Sequence, residues 1–196
     1  MDYFQGGASG GGKPSPILEP EDAFFFIVRA ATQTDLSIST FQGEWYLQRK
    51  HAEQINKAYQ DGKKQVMLFF TISDSRHIQG AALVTSRAVY QEGYFNPRFH
   101  QQPQFHHAST SSRPRDDQEA FSYRIGLEWY RTTEFPIETA LSAAPDLLLP
   151  TAQTQFCLDM SPSTGEKLMK ALWNSPLVTL YESWSAEDQF VGGLER

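Results

Sequence analysis

The sequence predicts an α+β domain: a strongly curved, mixed β-sheet forming an open barrel, with helices packed around it. Three observations carry that expectation. Two continuous apolar runs, Phe24–Arg29 and Val66–Ile72, have the length of strands buried on both faces. The stretch Phe121–Arg131 alternates Phe121, Tyr123, Ile125, Leu127 and Trp129 on one face, the period of a half-buried strand. Helical patterns lie between and after these without the regular β-α-β rhythm of a doubly wound sheet.

In chain order, residues 1–20 hold five of the 13 glycines and three of the 11 prolines. Their apolar content is too low to offset the entropy of ordering, so a flexible leader is expected there. Residues 21–185 read as one domain and 186–196 as a tail. After the first strand, Thr34 or Asp35 can cap a short helix running through Ser39, which Gly43 would close. Residues 47–60 place Ala52, Ile55 and Ala58 or Tyr59 at helical spacing, and Gly62 ends the pattern. The second strand, Val66–Ile72, turns at Ser73-Asp74-Ser75 into an antiparallel partner spanning Ile78–Ser86, where Gly80 marks a bulge or a close approach. Residues 88–119 are rich in Gln, His, Ser, Arg and Asp and form a long surface insertion. Ser163-Thr164-Gly165-Glu166 has the pattern of a capping box, opening a C-terminal helix with Leu168, Met169, Leu172 and Trp173 inward.

Composition narrows the function. With 17 Lys plus Arg against 23 Asp plus Glu, the formal charge is −6, which argues against charge-driven binding of duplex DNA or of an anionic membrane surface. Any grip on nucleic acid must be local and rich in stacking. The single cysteine, Cys157, excludes an internal disulfide framework and points to a reducing compartment, with the residue itself a small buried hydrophobe. No run reaches the roughly 18 apolar residues of a membrane span, so no membrane partner is expected.

Catalytic constellations are absent. The chain has no G-x-S-x-G, no H-E-x-x-H, no deaminase zinc signature and no dinucleotide glycine fingerprint. The G-x-x-x-x-G-K match at Gly7–Lys13 is followed by Pro14 where a phosphate loop needs Ser or Thr. His100, His106 and His107, and the acids Asp116, Asp117 and Glu119, sit in the polar insertion and read as solvated side chains. No catalytic residue, metal site or cofactor is expected, and the chain does not read as an enzyme.

A positive reading comes from an ordered set of segments: Phe25–Arg29, Phe41-Gln42-Gly43-Glu44-Trp45, Val66–Ile72 followed by His77-Ile78-Gln79-Gly80, and Leu127-Glu128-Trp129 with Glu134-Phe135-Pro136. Over about residues 22–175 they resemble the YTH domain, a reader of N6-methyladenosine in RNA with a YTH/PUA-like fold. Thr85-Ser86-Arg87 resembles, more faintly, the YTH domain joined to a polyadenylation-factor subunit in plants. The resemblance implies an aromatic cage for the methylated base. Trp45 matches its first ring; Asp35, ten residues earlier, matches the group facing N1 of the base; the backbone carbonyl of Tyr46 would accept the remaining N6 hydrogen. Counting eight residues back from Trp129 gives Phe121 as another wall, with Tyr123 as the alternative. No Trp lies between Trp45 and Trp129, so Tyr94 or Phe95 must stand in for the family's second tryptophan.

Among the positions that hold the RNA backbone in the family, basic Arg29 is retained, two basic positions appear as Ala152 and Gln155, and the Ser/Asn pair after Arg29 appears as Ala30-Ala31. Phosphate grip is therefore expected to be weaker or moved to Lys50, Arg98, Arg113 and Arg115. The implied partner is single-stranded RNA containing N6-methyladenosine, together with subunits of an mRNA 3′-end processing complex. The implied location is the nucleus, with the cytoplasm as the alternative. Two competing readings stay open. Trp45 can be a core tryptophan and Asp35 a helix cap, and the domain can be a protein-interaction module with a degenerate cage.

Overall fold

The computed structural model describes residues 23–62, 64–72, 75–91, 123–150 and 157–176. The elements are β1 (Ala23–Ala30), α1 (Gln33–Gln42), β2 (Glu44–Leu47), α2 (Arg49–Tyr59), β3 (Gln65–Ile72), β4 (His77–Val84), β5 (Val89–Tyr90), β6 (Tyr123–Pro136), α3 (Ile137–Ala143), β7 (Cys157–Met160) and α4 (Pro162–Trp173). They build one seven-stranded sheet in the order β2-β6-β4-β3-β1-β7, with β5 also paired to β6. β1 and β3 run parallel and the other pairs antiparallel, so the sheet is mixed, and the expected curled half-barrel with helices around it is the observed fold.

The two apolar runs became the central strands because both their faces are covered. On one face Phe26, Val28, Val66, Leu68 and Phe70 pack with Leu36 of α1 and with Ala52, Ile55 and Ala58 of α2. On the other, Phe25, Ile27, Met67 and Phe69 pack with Ala140 of α3 and with Leu168, Met169 and Leu172 of α4. Register shifts between β3 and β4 and between β4 and β6 bend the sheet, as bulges do. Gly80 sits at this bend with φ +149°, and a Cβ there would lie 2.2 Å from the carbonyl oxygen of Arg131. The close approach expected at Gly80 is therefore real.

Four expectations about boundaries need correction. Helix α1 is capped by Thr32 rather than by Thr34 or Asp35. Thr32 Oγ1 accepts from the Asp35 backbone N–H at 3.4 Å, and Asp35 Oδ2 accepts from the Thr32 N–H at 3.1 Å, a reciprocal capping box with Asp35 as its acidic member. The segment carrying Trp45 is a strand, so the following helix starts at Arg49 rather than at 47. The cap of helix α4 lies two residues before the expected one: Ser161 Oγ accepts from the Thr164 N–H at 3.1 Å, and Pro162 takes the first helical position, where its missing N–H costs nothing. Finally, β6 continues to Pro136, five residues past Arg131. The expected leader and tail, most of the insertion, and Phe121, Tyr94, Phe95 and Arg98 lie outside the described residues.

Two core positions generate measurable expectations. Gly165 faces Phe25 so closely that a Cβ would lie 2.1 Å from the ring's Cγ. Alanine is the better helix former by about 1 kcal/mol, yet Gly165→Ala should lower stability by about 1–3 kcal/mol through overpacking. Urea unfolding reads the sign, and a variant as stable as wild type would show that Phe25 can retreat.

His51, on α2, is only 1% exposed, and neither ring nitrogen has a hydrogen-bond partner among the described residues. Burial, and secondarily the neighbouring charge of Lys50, pull its pKa from 6.5 down to about 4. Between those values the unfolded chain binds the proton and the folded chain does not, so stability falls as pH drops from 6.5 towards 4. Wild type should lose about 2 kcal/mol more than His51→Leu between pH 7 and pH 5. Parallel slopes for the two proteins in urea titrations would contradict this.

Candidate nucleic-acid interface

The candidate residues that the structure describes hang from β2, β6 and the two helices flanking β2, with Arg29 alone on β1. Gly43, at φ +67°, turns α1 directly into β2, and its carbonyl accepts from the Leu127 N–H at 2.7 Å. That turn delivers Trp45 to the sheet opposite Ile125, Tyr46 opposite Arg124 and Leu47 opposite Tyr123. Trp45 is 9% exposed and belongs to the same core cluster as Phe70. The two rings meet edge to face at 5.1 Å, and Phe70 in turn lies 4.6 Å from the ring of Trp129. The Trp129 indole N–H donates to Ser39 Oγ at 3.2 Å, and Ser39 lies one helical turn after Asp35 on α1. A continuous line of contacts thus joins the helix bearing Asp35 to the indole of Trp45.

Each expected residue can now be placed. Trp45 packs into the core, the alternative weighed for it, with 9% of the residue exposed. Asp35 is half-buried, and its carboxylate is engaged in the cap of α1 through Thr32 N–H and, at 3.0 Å, the Thr32 hydroxyl. Tyr46 is half-buried, on the opposite sheet face from Trp45. Tyr123 is half-buried, packs against the core that holds Trp45, and meets Tyr90 edge to face at 5.5 Å. Lys50 is exposed in the first turn of α2, beside exposed Arg49. Arg29 is 8% exposed at the end of β1, which leaves its guanidinium little surface to offer a phosphate.

Sequence reasoning passed over Tyr90 and Arg124. Tyr90 lies inside the segment read as insertion, although it closes β5. Arg124 pairs with Glu44 across β2 and β6 at 2.7 Å, and only the register of those strands brings the two together. The Cys157 thiol is pushed up to about 12 by burial and then by the charge of Asp159, so it stays protonated and inert at neutral pH. Among the described residues, no three His, Cys, Asp or Glu side chains are grouped to hold a metal ion. No helix among them is long and apolar enough to cross a membrane. A cleft of about 500 Å³ between the C-terminal half of β6, α3 and α4, lined by Thr133, Phe135, Thr139, Ala171 and Asn174, contains none of the candidate residues.

Comparison with known proteins bears on this geometry. The chain is 26% identical over 154 residues to the 30-kDa cleavage and polyadenylation specificity factor 30 of Arabidopsis thaliana, which covers 78% of this chain and 22% of that protein. It is 25% identical over 154 residues to zinc finger CCCH domain-containing protein 45 of Oryza sativa subsp. japonica, covering 78% and 21%. The chain therefore spans about a fifth of the length of these curated relatives. Among solved structures, the YTH domain of the Zygosaccharomyces rouxii MRB1 protein in complex with N6-methyladenosine RNA superposes with TM-score 0.59 at 13% identity, covering 87% of this chain and 97% of that one. The YTH domain of Toxoplasma CPSF4 with a 7-mer m6A-modified RNA gives 0.57 at 15% identity, covering 81% and 95%. Those two likenesses establish the shared fold. The family model for the YT521-B-like domain matches residues 23–173, which takes in every described element from β1 to α4, and the chain belongs to the YTH domain family.

Proposed function

We propose that this domain binds single-stranded RNA and recognises N6-methyladenosine without changing it. The observation that supports the reading most directly is the line from Asp35 through Ser39, Trp129 and Phe70 to Trp45, which sets the two residues matched to the family's base contacts on adjoining elements. Trp45 serves as the first ring, Asp35 orients the base, and the Tyr46 carbonyl accepts the N6 hydrogen. Phe121 or Tyr123, with Tyr94 or Phe95, completes the cage, while Lys50 and Arg98 serve the RNA backbone and Arg29 adds at most a marginal contact through the little surface it keeps.

The methyl group is neutral, so selectivity comes from desolvation. Burying one methyl contributes ~0.8 kcal/mol. Stacking contributes ~1–3 kcal/mol per base but serves plain adenine equally. The larger discrimination comes from the unmethylated amine, whose second N–H would be stranded in an apolar slot at ~1–3 kcal/mol. N1 of adenine is an acceptor, so a carboxylate facing it needs a proton or an intervening water. The target base must leave any helix to enter, which selects unpaired RNA. At 9% exposure Trp45 offers a rim rather than a face, so entry of a base requires that rim to widen.

The Arabidopsis thaliana relative named for cleavage and polyadenylation supports a place in mRNA 3′-end processing, hence in the nucleus, among other subunits of that machinery. A second reading, a protein-interaction module with a degenerate cage, draws on the net charge of −6 and on Phe41 of α1, which is 84% exposed.

Titration of matched oligonucleotides decides between the two. The methylated strand should bind at least tenfold more tightly, the sum of the methyl and stranded N–H contributions being about 2 kcal/mol at its lower end. Equal, weak binding of both strands would end the reader assignment. Trp45→Ala should abolish the preference, and it should also destabilise the fold by about 3–5 kcal/mol because the ring is part of the core. Trp45→Phe keeps an aromatic ring there and should keep both the fold and part of the preference. Full selectivity in a folded Trp45→Ala protein would show the cage to be elsewhere.

A further inference from the structure

Tyr90 ends β5 and Tyr123 opens β6, and these two residues face each other as a cross-strand pair. Their rings meet at 5.5 Å with an interplanar angle of 65°. Tyr123 is half-buried against the core, but Tyr90 remains 61% exposed. The two-residue strand that carries it is nevertheless held with care. Asn56 of α2 clamps Ala88 from both sides of its peptide unit, donating to its carbonyl at 3.0 Å and accepting from its N–H at 2.7 Å. Just upstream, the Thr85 N–H donates to the Gly126 carbonyl at 2.9 Å, the Gly126 N–H donates to Ser86 Oγ at 2.8 Å, and the Tyr59 hydroxyl donates to the Thr85 carbonyl at 2.9 Å. An exposed aromatic ring is thereby mounted on a rigid support, the arrangement of a preorganised contact rather than of a loop tip.

Register relates this ring to the proposed cage. Residues directly opposite in antiparallel strands share a face. Trp45 lies opposite Ile125, Leu47 opposite Tyr123, and Tyr123 opposite Tyr90, so Trp45, Tyr123 and Tyr90 lie along one face of the sheet. Trp45 on β2 and Tyr90 on β5 flank β6 from opposite sides, two strand spacings or roughly 10 Å apart. That exceeds the rise of about 3.4 Å between stacked nucleotides, so it suits a strand whose bases are splayed apart, the form in which single-stranded RNA is read.

We infer that Tyr90, braced edge-on by Tyr123, is a second stacking platform that receives an unmodified nucleobase flanking the methylated adenosine. The inference rests on the reader assignment and extends it by one nucleotide subsite. Such a platform accepts any base, because every base has a π-face. It also supplies affinity that a chain of net charge −6 draws only weakly from phosphate attraction. The nearest cation along β6, Arg124, points to the other sheet face and is paired with Glu44.

Methylated pentanucleotides carrying 2-aminopurine immediately before or after the modified base test this on the whole chain. With wild type, fluorescence should be quenched at one flank. Tyr90→Ala should remove that quenching and weaken oligonucleotide binding roughly tenfold. It should leave the methylated-to-unmethylated ratio, the affinity for free N6-methyladenosine nucleoside and the unfolding midpoint unchanged. Tyr90→Phe should behave as wild type. Wild-type affinity together with intact quenching in Tyr90→Ala would overturn the platform while leaving the cage standing. A wild-type protein that binds both strands equally, yet loses tenfold in Tyr90→Ala, would overturn the cage and keep the platform as a general stacking site. Absence of RNA binding by wild type would overturn both.

Discussion

Strand β6 is the constraint on which the rest of the molecule depends. Its first four residues, 123–126, pair with β2 on one edge, and two of them pair with β5 on the other. The remainder pairs with β4 across two register shifts. One continuous strand of 14 residues therefore sets the position of Trp45, through Ile125, and of Tyr90, through Tyr123. It also anchors α1, through the Trp129–Ser39 hydrogen bond, and with it Asp35. At its C-terminal half Arg131 donates to the Ser175 carbonyl and lies 5.9 Å from the centroid of the Trp173 ring, tying α4 to the same strand. The candidate interface and the second core are thus opposite ends of one β-strand, and the bulges between them let each end follow its own curvature.

Much of this fold is legible in the sequence where burial is two-sided. Phe24–Arg29 and Val66–Ile72 are apolar at every covered position but Arg29 and Thr71, and a nearly continuous run of that kind admits few alternatives. Gly80 is legible because only glycine fits where the Arg131 carbonyl comes within 2.2 Å of a Cβ position. The misplaced boundaries arise where several residues compete for one role. Thr32, Thr34 and Asp35 are all competent caps, and Thr32 prevails because an acid three residues later completes the reciprocal bond. Ser161 prevails over Ser163 because Pro162 favours the first helical position, a signal present in the sequence and outweighed by the apparent box downstream. Strand β2 carries its alternation over four residues only, too short for periodicity to declare it.

The site was legible to a different degree. Asp35 and Trp45 emerge from their spacing within a family pattern, not from any local physical signal, since an acid in the first turn of a helix and a tryptophan among polar neighbours have ordinary explanations. Ordinary explanations of this kind hold here: Asp35 completes the capping box of α1 as its third residue, and Trp45 packs on Phe70. Tyr90 and Arg124 went unnoticed because their importance lies in cross-strand register, which a run of 32 intervening residues, 91–122, hides from sequence inspection.

That Trp45 belongs at once to the core and to the proposed cage follows from the chemistry asked of it. A ring that discriminates one methyl group must sit where water cannot reach the amine it excludes, because an N–H that can turn to solvent loses the penalty that separates the two bases. An indole standing free on the surface would stack well and discriminate poorly. An indole backed by Phe70, which is itself backed by Trp129, has one side permanently dry. Its remaining rim is the part a base must open. Fold stability and methyl selectivity are then drawn from the same packed aromatic row. A polar substitution anywhere along Trp45, Phe70 or Trp129 admits water to both, whereas the exposed ring of Tyr90 can change affinity without touching either.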